Sequence, residues 1–254
     1  MSIHKTEAIV IKTFDFRETS LIATLYTKDF GKINGILKGI KTQPSKFSSS
    51  LEPFSYNEIV FYKKRNSNLH LVTQCDLKDN FLYLRNDVKK ITLASLMMEL
   101  LDAIMPLEEI NYDIFDLSLF CLNTMSDYYD VEKIATIFKI KLLALSGFKP
   151  HFDSCILCEA RITGQGKFSI GLGGLLCSQC FRKDPKARNI FRGTVATILH
   201  IEKNNLEDNL RLGINPQIKR ELNSILQSFL DFHIDKKLRS LNVLDELKLI
   251  EVKI

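Results

Sequence analysis

The chain has 254 residues, of which 45% are hydrophobic and 26% charged, with a net charge of +5 and a pI near 8.8. This length accommodates one large domain or two ordinary ones with substantial cores. No run of 18 uncharged apolar residues occurs and the first residues do not form a signal segment, so neither a membrane span nor export is expected. The moderate basic charge fits a nucleic-acid partner without proving one.

Five short strand patterns occupy roughly the first 75 residues. β-Branched and aromatic residues predict strands over 8–11, 21–27, 30–39, 56–62 and 69–74. Recurring glycines in the third pattern, at Gly31, Gly35 and Gly39, indicate bulges or tight bends. Short strands with glycine-bent corners favour a small barrel of the OB type, and a sandwich or an SH3-like barrel remains open.

Basic residues are concentrated in the same region. Between residues 28 and 46 five lysines accompany a single acid, and a second basic cluster follows the fourth strand. OB folds hold single strands in grooves that combine lysines for phosphates with aromatic faces for bases. The candidate DNA contacts are Lys32, Lys38, Lys41, Lys46, Lys63, Lys64 and Arg65. The interleaved aromatic residues, most of which are expected to fill the barrel instead, are Phe30, Phe47, Phe54, Phe61 and Tyr62.

After about residue 80 the hydrophobic period becomes helical. Helices are predicted over about 88–104, 112–125, 131–145 and 194–202, and Asn215-Pro216 begins a further long helix. The apolar face of that helix carries Leu222, Ile225, Leu226, Phe229 and His233, of which the histidine is expected to be a satisfied core residue. The sequence therefore predicts a multidomain α+β protein: an OB-fold barrel over 1–80, then an all-α bundle over 81–254 with an insertion at about 149–192.

Four cysteines define that insertion. Cys155 and Cys158 form one C-x2-C pair and Cys177 and Cys180 form another, a spacing typical of one tetrahedral zinc ion. Four sulfur ligands leave no open position, so a single structural Zn²⁺ is expected. Two disulfides or a redox pair are the alternatives, disfavoured by the missing signal segment and the absence of a thioredoxin-like context. Cys75 and Cys121 lie singly in apolar surroundings and are expected in the core.

The insertion is itself basic. Residues 149–192 contain eight lysines and arginines against three acids, and a four-thiolate zinc site contributes only about −2. Arg182, Lys183 and Arg192 are therefore further candidate DNA contacts. Equally, the insertion can serve only to hold together a loop too poor in core to fold unaided.

Enzyme motifs do not fit the chain. The phosphate-binding G-x-x-x-x-G-K-S/T, the nucleophile motif G-x-S-x-G and the zinc motif H-E-x-x-H are all missing. His200-Ile201-Glu202 has the triplet of a zinc deaminase, but it follows the cysteines and neither cysteine pair is preceded by proline. A non-enzymatic protein is therefore expected.

An ordered set of segments resembles one family, the bacterial recombination mediators of the RecO type. The segments are 7–13, 18–20, 30–39, 51–54, 146–150, 173–177 and 233–240. The resemblance implies an OB fold, a helical domain with a zinc module, and a cytoplasmic, nucleoid-associated protein. It further implies binding and annealing of single-stranded DNA, binding of duplex DNA, contact with single-strand-binding protein, and cooperation with RecR in loading RecA.

The chain departs from this family in one stretch. Where the family tends to have arginines after its Lys-Gly, residues 40–46 here contain only lysines as cations, which lose the bidentate phosphate contact. Some family members also lack the zinc cysteines, which favours a structural role for the metal. The alternative function is a zinc-containing adaptor that binds proteins only.

Overall fold

The computed structural model describes residues 2–42, 47, 51–234 and 238–251. Two compact units result: Met1–Ala135 together with Leu238–Ile254, and Thr136–Lys237. The first unit therefore contains the strands together with the first helices and the last one. The division at residue 80 that the sequence suggests remains a prediction about domains.

The five predicted strands are confirmed. They are β1 (Ser2–Phe16), β2 (Ser20–Thr27), β3 (Gly31–Leu37), β4 (Tyr56–Lys63) and β5 (Leu69–Asp79). Their pairings run in the order β1-β2-β3-β5-β4 and return to β1, with β3 and β5 parallel and the other pairs antiparallel, which is an OB-like arrangement. β1 is longer than predicted because its first half pairs with β4 and its second half with β2, with a bulge between Val10 and Lys12.

Alternate residues of these strands fill the interior of the barrel. Leu25, Ile33 and Phe61 are at most 2% exposed and belong to one cluster that also contains Cys75. Of the aromatic residues interleaved with lysines, Phe47 and Phe61 lie in this cluster, Phe54 is buried and Phe30 packs against the cluster, so the prediction that most of them are core is confirmed. Cys121 is likewise buried.

The helices are α1 (Leu82–Arg85), α2 (Val88–Ile104), α3 (Tyr112–Thr124), α4 (Val131–Leu145), α5 (Arg192–Lys203), α6 (Leu206–Arg211), α7 (Pro216–His233) and α8 (Arg239–Glu251). The five predicted helices are confirmed as α2, α3, α4, α5 and α7, whereas α1, α6 and α8 were not predicted. Side chains cap the first turns: Asp87 accepts from two backbone N–H groups of α2, and Asn111 and Asn215 each accept from one backbone N–H group, of α3 and α7 respectively. None of the helices in the described part of the chain is long and apolar enough to cross a bilayer.

Within the first unit, the loop between α2 and α3 packs on the barrel. Leu107 forms a bridge with Lys32 of β3, and the N–H of Glu108 donates to the Lys32 carbonyl over 2.8 Å. Gly31 makes this approach possible, because its φ is +62° and a Cβ there would lie 2.0 Å from the Glu109 carbonyl oxygen. The loop therefore has a fixed position against β3, and it carries the Glu108 carboxylate to the barrel.

The second unit contains a small sheet that the sequence analysis did not predict. β6 (Gly166–Ser169), β7 (Gly174–Leu176) and β8 (Arg188–Ile190) form an antiparallel sheet in the order β7-β6-β8. The expected all-α bundle is corrected in this respect: the cysteine insertion is a β-structure between helices. Strands of three or four residues are too short for their periodicity to be recognised.

The long helix α7 has the predicted apolar face. Leu222, Ile225, Leu226 and Phe229 are buried. His233 is partly buried among aromatic rings, and its Nε2 donates to the Ile170 carbonyl over 2.9 Å. The expectation of a hydrogen-bonded packing histidine is thus confirmed.

Candidate metal centre and nucleic-acid interface

The two cysteine pairs converge on one point. The sulfur atoms of Cys155, Cys158, Cys177 and Cys180 all lie within 4.8 Å of one another, and those of Cys158 and Cys177 are 3.6 Å apart. A tetrahedral zinc with Zn–S bonds of about 2.3 Å requires S···S distances of about 3.8 Å. All six cysteines are free thiols, so the disulfide alternative is not realised. The arrangement fits a metal ion with four sulfur ligands.

Local backbone hydrogen bonds form each cysteine knuckle. The N–H of Glu159 donates to the Cys155 carbonyl, and the N–H of Cys155 donates to Ala160. Glu159 has a φ of 58°, which turns the chain tightly after the first pair. In the second knuckle the N–H of Cys180 donates to the Cys177 carbonyl over 2.9 Å. Each pair thus presents two sulfur atoms in the same direction.

The thiols compete for ionisation. Burial acts to raise the pKa of the Cys155 thiol. The hydrogen bonds from nearby backbone N–H groups outweigh burial and lower this pKa to about 6. Burial, followed by hydrogen bonds with the other three thiols, raises the pKa of Cys180 to about 12. Negative charges this close together oppose one another unless a cation lies between them. The electrostatics therefore agree with the sulfur geometry in favouring a bound metal cation.

One group of predicted DNA contacts lies at the end of β4. Lys63, Lys64 and Arg65, called here the cleft cluster, line an open cleft of about 530 Å³ with Ser67 and Asn68. The guanidinium of Arg65 is exposed, whereas Lys64 is partly buried. These three cations are adjacent in the sequence and face one concave surface, as an anion-binding site requires.

A second group lies at the opposite end of β1. Lys38 and Lys41, called here the turn cluster, follow β3 and lie beside the turn between β1 and β2, where the N–H of Lys41 donates to the Thr19 carbonyl. Both side chains are exposed, and the Lys41 ammonium pairs with Asp15 at 2.8 Å. The register places Phe16 opposite Ser20 at this end and Ser2 opposite Lys63 at the other. The barrel lysines therefore form two separate clusters.

Two predicted contacts join neither cluster. Lys32 is only 8% exposed, and its ammonium donates to the backbone carbonyl of Asp102 over 2.6 Å and pairs with the carboxylate of the same residue at 3.4 Å. A DNA phosphate has no access to an ammonium in this position, so we omit Lys32 from the proposed interface. Lys46 lies outside the described residues.

The predicted contacts in the cysteine module are exposed. Arg182 and Lys183 lie in a 3-10 turn that directly follows Cys180, and Arg192 is the first residue of α5. None of the ion pairs among the described residues involves these three side chains. Their charges are accordingly directed to solvent, as an interface with phosphates requires.

Sequence reasoning missed Glu108, which lines the cleft, and the buried His70 beside it. The Glu108 carboxylate pairs with Lys63 at 2.6 Å and lies 3.2 Å from Nε2 of His70, whose Nδ1 accepts from the N–H of Lys64. Burial lowers the pKa of His70 despite the Glu108 carboxylate. The bond from Lys63 lowers the pKa of Glu108. No local pattern could have revealed either residue, because Glu108, His70 and the lysines that they contact come from three separate segments.

Comparison with known proteins covers most of the chain. The family model "Recombination protein O N terminal" matches residues 1–81, and "Recombination protein O C terminal" matches residues 85–242. The DNA repair protein RecO of Alkaliphilus metalliredigens is 32% identical over 233 residues, which cover 91% of this chain and 94% of that protein. The DNA repair protein RecO of Syntrophus aciditrophicus is 31% identical over 249 residues, which cover 96% of each chain. The resemblance drawn from the motifs is confirmed, and the chain belongs to the RecO family.

Proposed function

We propose that this protein binds single-stranded DNA, and also duplex DNA, with little sequence preference, and that it anneals complementary strands during DNA repair. The exposed Arg65 of the cleft cluster, with the partly buried Lys64 beside it, supports this proposal most directly. Cations on a concave surface neutralise phosphates and release their counterions. Annealing then needs only that two strands are held with their repulsion reduced and their bases free to pair.

In this proposal the protein is a mediator and not an enzyme. It acts with RecR to help load RecA onto DNA coated by single-strand-binding protein, in the cytoplasm and near the nucleoid of a bacterial cell. The relatives are DNA repair proteins by name, which supports the setting. The steps assigned to this chain are binding, neutralisation and alignment of strands, none of which makes or breaks a covalent bond.

We further propose that the four cysteines hold one structural Zn²⁺. The all-sulfur ligand set suits zinc, and it leaves no position for water or substrate. When bound, the ion supplies a cross-link between the two knuckles. Arg182, Lys183 and Arg192 depend on the module for their positions and provide further cations for phosphates.

Salt-dependent binding tests the DNA proposal. Titration of a labelled single-stranded oligonucleotide between about 50 and 200 mM salt is expected to show saturable binding that weakens steeply. Arg65→Ala is expected to weaken binding uniformly across sequences and to reduce the salt slope by about 1. Arg211→Ala, an exposed arginine outside every cluster, is the matched control and is expected to change neither quantity. Absence of saturable binding at low salt would refute the proposal.

A protein-only adaptor is the second candidate, and one observation favours it. The second unit exposes aromatic side chains, with Phe232 62% and Phe148 41% accessible, and such residues are frequent in protein interfaces. The same titration, together with an annealing assay, separates the two functions, since a protein-only adaptor gives no saturable DNA binding. An adaptor predicts no acceleration of annealing between complementary oligonucleotides, whereas the DNA-binding proposal predicts an acceleration that high salt abolishes.

A further inference from the structure

We propose that Cys158 and Cys177 are a reversible oxidation site, at which hydrogen peroxide joins the two thiolates in a disulfide across the two knuckles and the bound metal ion is released. The inference rests on the proposed structural Zn²⁺ and adds a chemical modification that removes the ion. It follows from the unequal exposure of the four sulfur ligands and from the distance between two of them.

The four cysteines differ in their access to solvent. Cys155 is 0% exposed, Cys177 and Cys180 are partly buried, and Cys158 is exposed. The residues on either side of Cys158 in the first knuckle, Leu157 and Glu159, are exposed as well. A dissolved oxidant therefore reaches the sulfur atom of Cys158 more readily than that of Cys155.

Metal coordination keeps the exposed sulfur in its reactive form. A cysteine must lose its proton to bind zinc, so a coordinating Cys158 is a thiolate at neutral pH. The thiolate, and not the thiol, is the form that attacks an oxidant. Reactive cysteines typically lie in positive surroundings, and the module exposes Arg161, Arg182 and Lys183. Exposure and ionisation are thus combined at one sulfur atom.

Cys177 is the second member of the proposed pair. Its sulfur lies 3.6 Å from that of Cys158, although the two residues are 19 positions apart in the chain. Redox-sensing cysteines are often poised beside a second cysteine that reacts with the first oxidation product. Because the two residues belong to different knuckles, a disulfide between them keeps the knuckles joined. A disulfide within either C-x2-C pair would leave the knuckles unconnected.

The reaction consumes one molecule of hydrogen peroxide. The Cys158 thiolate attacks one peroxide oxygen, the O–O bond breaks, and the departing hydroxide is protonated to water. The Cys177 thiolate then attacks the sulfur of the resulting sulfenic acid, the S–O bond breaks, and the second hydroxide is also protonated to water. The two sulfur atoms lose two electrons, the peroxide gains two, and two protons are consumed. Cys155 and Cys180 alone are too few ligands for a structural zinc ion.

Two further cysteines provide a control within the same chain. Cys75 is 0% exposed and Cys121 is 1% exposed. Burial keeps a dissolved oxidant away from both sulfur atoms, and it also raises the pKa of the Cys121 thiol, which therefore stays protonated at neutral pH. Both residues are expected to remain reduced under conditions that oxidise Cys158 and Cys177.

The test treats the full, zinc-loaded chain with hydrogen peroxide after its metal content has been measured. A chromogenic chelator is expected to detect one zinc ion released per chain, and peptide mapping is expected to find Cys158 joined to Cys177. Dithiothreitol followed by zinc should restore the metal content. Residues 149–192 of the oxidised chain should resist protease longer than those of a chain stripped of zinc under reducing conditions, because the disulfide keeps the module cross-linked.

Two variants sharpen the test. Cys121→Ala is the matched control and is expected to lose zinc and form the disulfide as the natural chain does. Cys177→Ala lacks the second thiol, so dimedone is expected to trap a sulfenic acid on Cys158 and no cross-link should form. The mapping on the natural chain decides the matter even where Cys177→Ala fails to fold.

The outcomes separate this inference from the metal site on which it rests. Zinc retention in excess peroxide, or a disulfide within either C-x2-C pair, refutes the oxidation site and leaves the structural zinc standing. Oxidation of Cys75 or Cys121 before the pair also refutes it. A natural chain that binds no zinc refutes the proposed metal site itself.

Discussion

The barrel and the cysteine module achieve stability by different means. The barrel encloses a continuous apolar cluster with members on all five strands, among them Leu25, Ile33 and Phe61. The cluster of the module consists of Cys155, Leu176 and Ala187 with a few partly buried neighbours. Apolar burial of the first kind stabilises a domain by itself, whereas so small a cluster needs a cross-link. The comparison indicates that metal removal should affect one region and leave the other folded.

The two regions also treat their cations differently. The barrel buries Lys32 against Asp102 and neutralises Lys63 with Glu108. The module leaves Arg182, Lys183 and Arg192 exposed. A lysine in the barrel sequence is thus not by itself a sign of a DNA contact, because the tertiary structure decides which ammonium groups reach solvent.

Removal of one metal ligand is expected to have the largest effect. Cys158→Ala should release the bound ion and make residues 149–192 sensitive to protease, because structural zinc contributes about 10 kcal/mol or more to small folds. Metal content and limited proteolysis measure this. Cys121→Ala, a buried cysteine outside the cluster, should keep one ion per chain. A Cys158→Ala protein that retains both metal and protease resistance would contradict the conclusion that the module depends on a metal cross-link.

A methyl group at Gly31 is expected to disrupt the packing of the α2–α3 loop on the barrel. Gly31→Ala should destabilise the first unit by about 3 kcal/mol or more, since it adds a collision with the Glu109 backbone to the left-handed strain of about 1–2 kcal/mol. Gly39→Ala tests the backbone strain alone, because φ there is +75° and, among the described residues, the new Cβ meets only Thr42 at 3.7 Å. Urea unfolding measures both. Equal losses in the two variants would mean that the loop does not constrain the barrel.

Lys32 and Arg65 are expected to give opposite results. Lys32→Met should reduce stability by about 2 kcal/mol, because the buried Asp102 carboxylate loses one of its two lysine partners, and should leave the salt slope of DNA binding intact. Arg65→Ala should lower the slope with little change in stability. Unfolding and salt titrations on both variants provide the check. A reduced slope for Lys32→Met would restore that lysine to the interface.

Neutralising Glu108 is expected to strengthen DNA binding about 3- to 10-fold. The Lys63 ammonium that pairs with this carboxylate becomes free for a phosphate in Glu108→Gln. Because Lys63 lowers the pKa of Glu108, the carboxylate is ionised at neutral pH and the effect should be present there. Anisotropy titration measures it, with the exposed Glu207→Gln as control. Weaker binding would instead assign Glu108 a purely structural role.

The smallest effect concerns pH and the barrel. Hydrogen bonds from Lys78 and Tyr56 lower the pKa of Glu7 below its ordinary value of 4.5. A carboxylate whose pKa is lower in the folded than in the unfolded state stabilises the fold at pH values above the unfolded pKa. This contribution is lost as the pH falls from about 4.5 through the folded pKa. Glu7→Gln should therefore cost about 0.5–1 kcal/mol at pH 7 and nothing in strong acid. The urea unfolding midpoints of the natural chain and of Glu7→Gln, measured at both pH values, test this prediction. A difference in midpoint that is the same at both pH values would contradict the assignment.

Local patterns determined much of this molecule. Strand alternation located the five strands, the N-cap at Asn215 located α7, and the two C-x2-C pairs identified the four sulfur atoms that meet. Each of these features depends on residues within a few positions of one another, where periodicity and capping act directly. The order of segments along the chain also sufficed to identify the family.

The tertiary structure decided which side chains are accessible. Lys32 and Lys38 look alike in the sequence, but one is buried against Asp102 and the other is exposed. Phe61 fills the barrel while Phe14, in an equally apolar strand, is open to solvent. The reason is physical: exposure depends on what a distant helix or strand covers, and no local pattern encodes that contact. The sequence thus located the five strands of the barrel and the four cysteines that meet, and the packing of the helices and the α2–α3 loop on the barrel decided which basic side chains stay exposed.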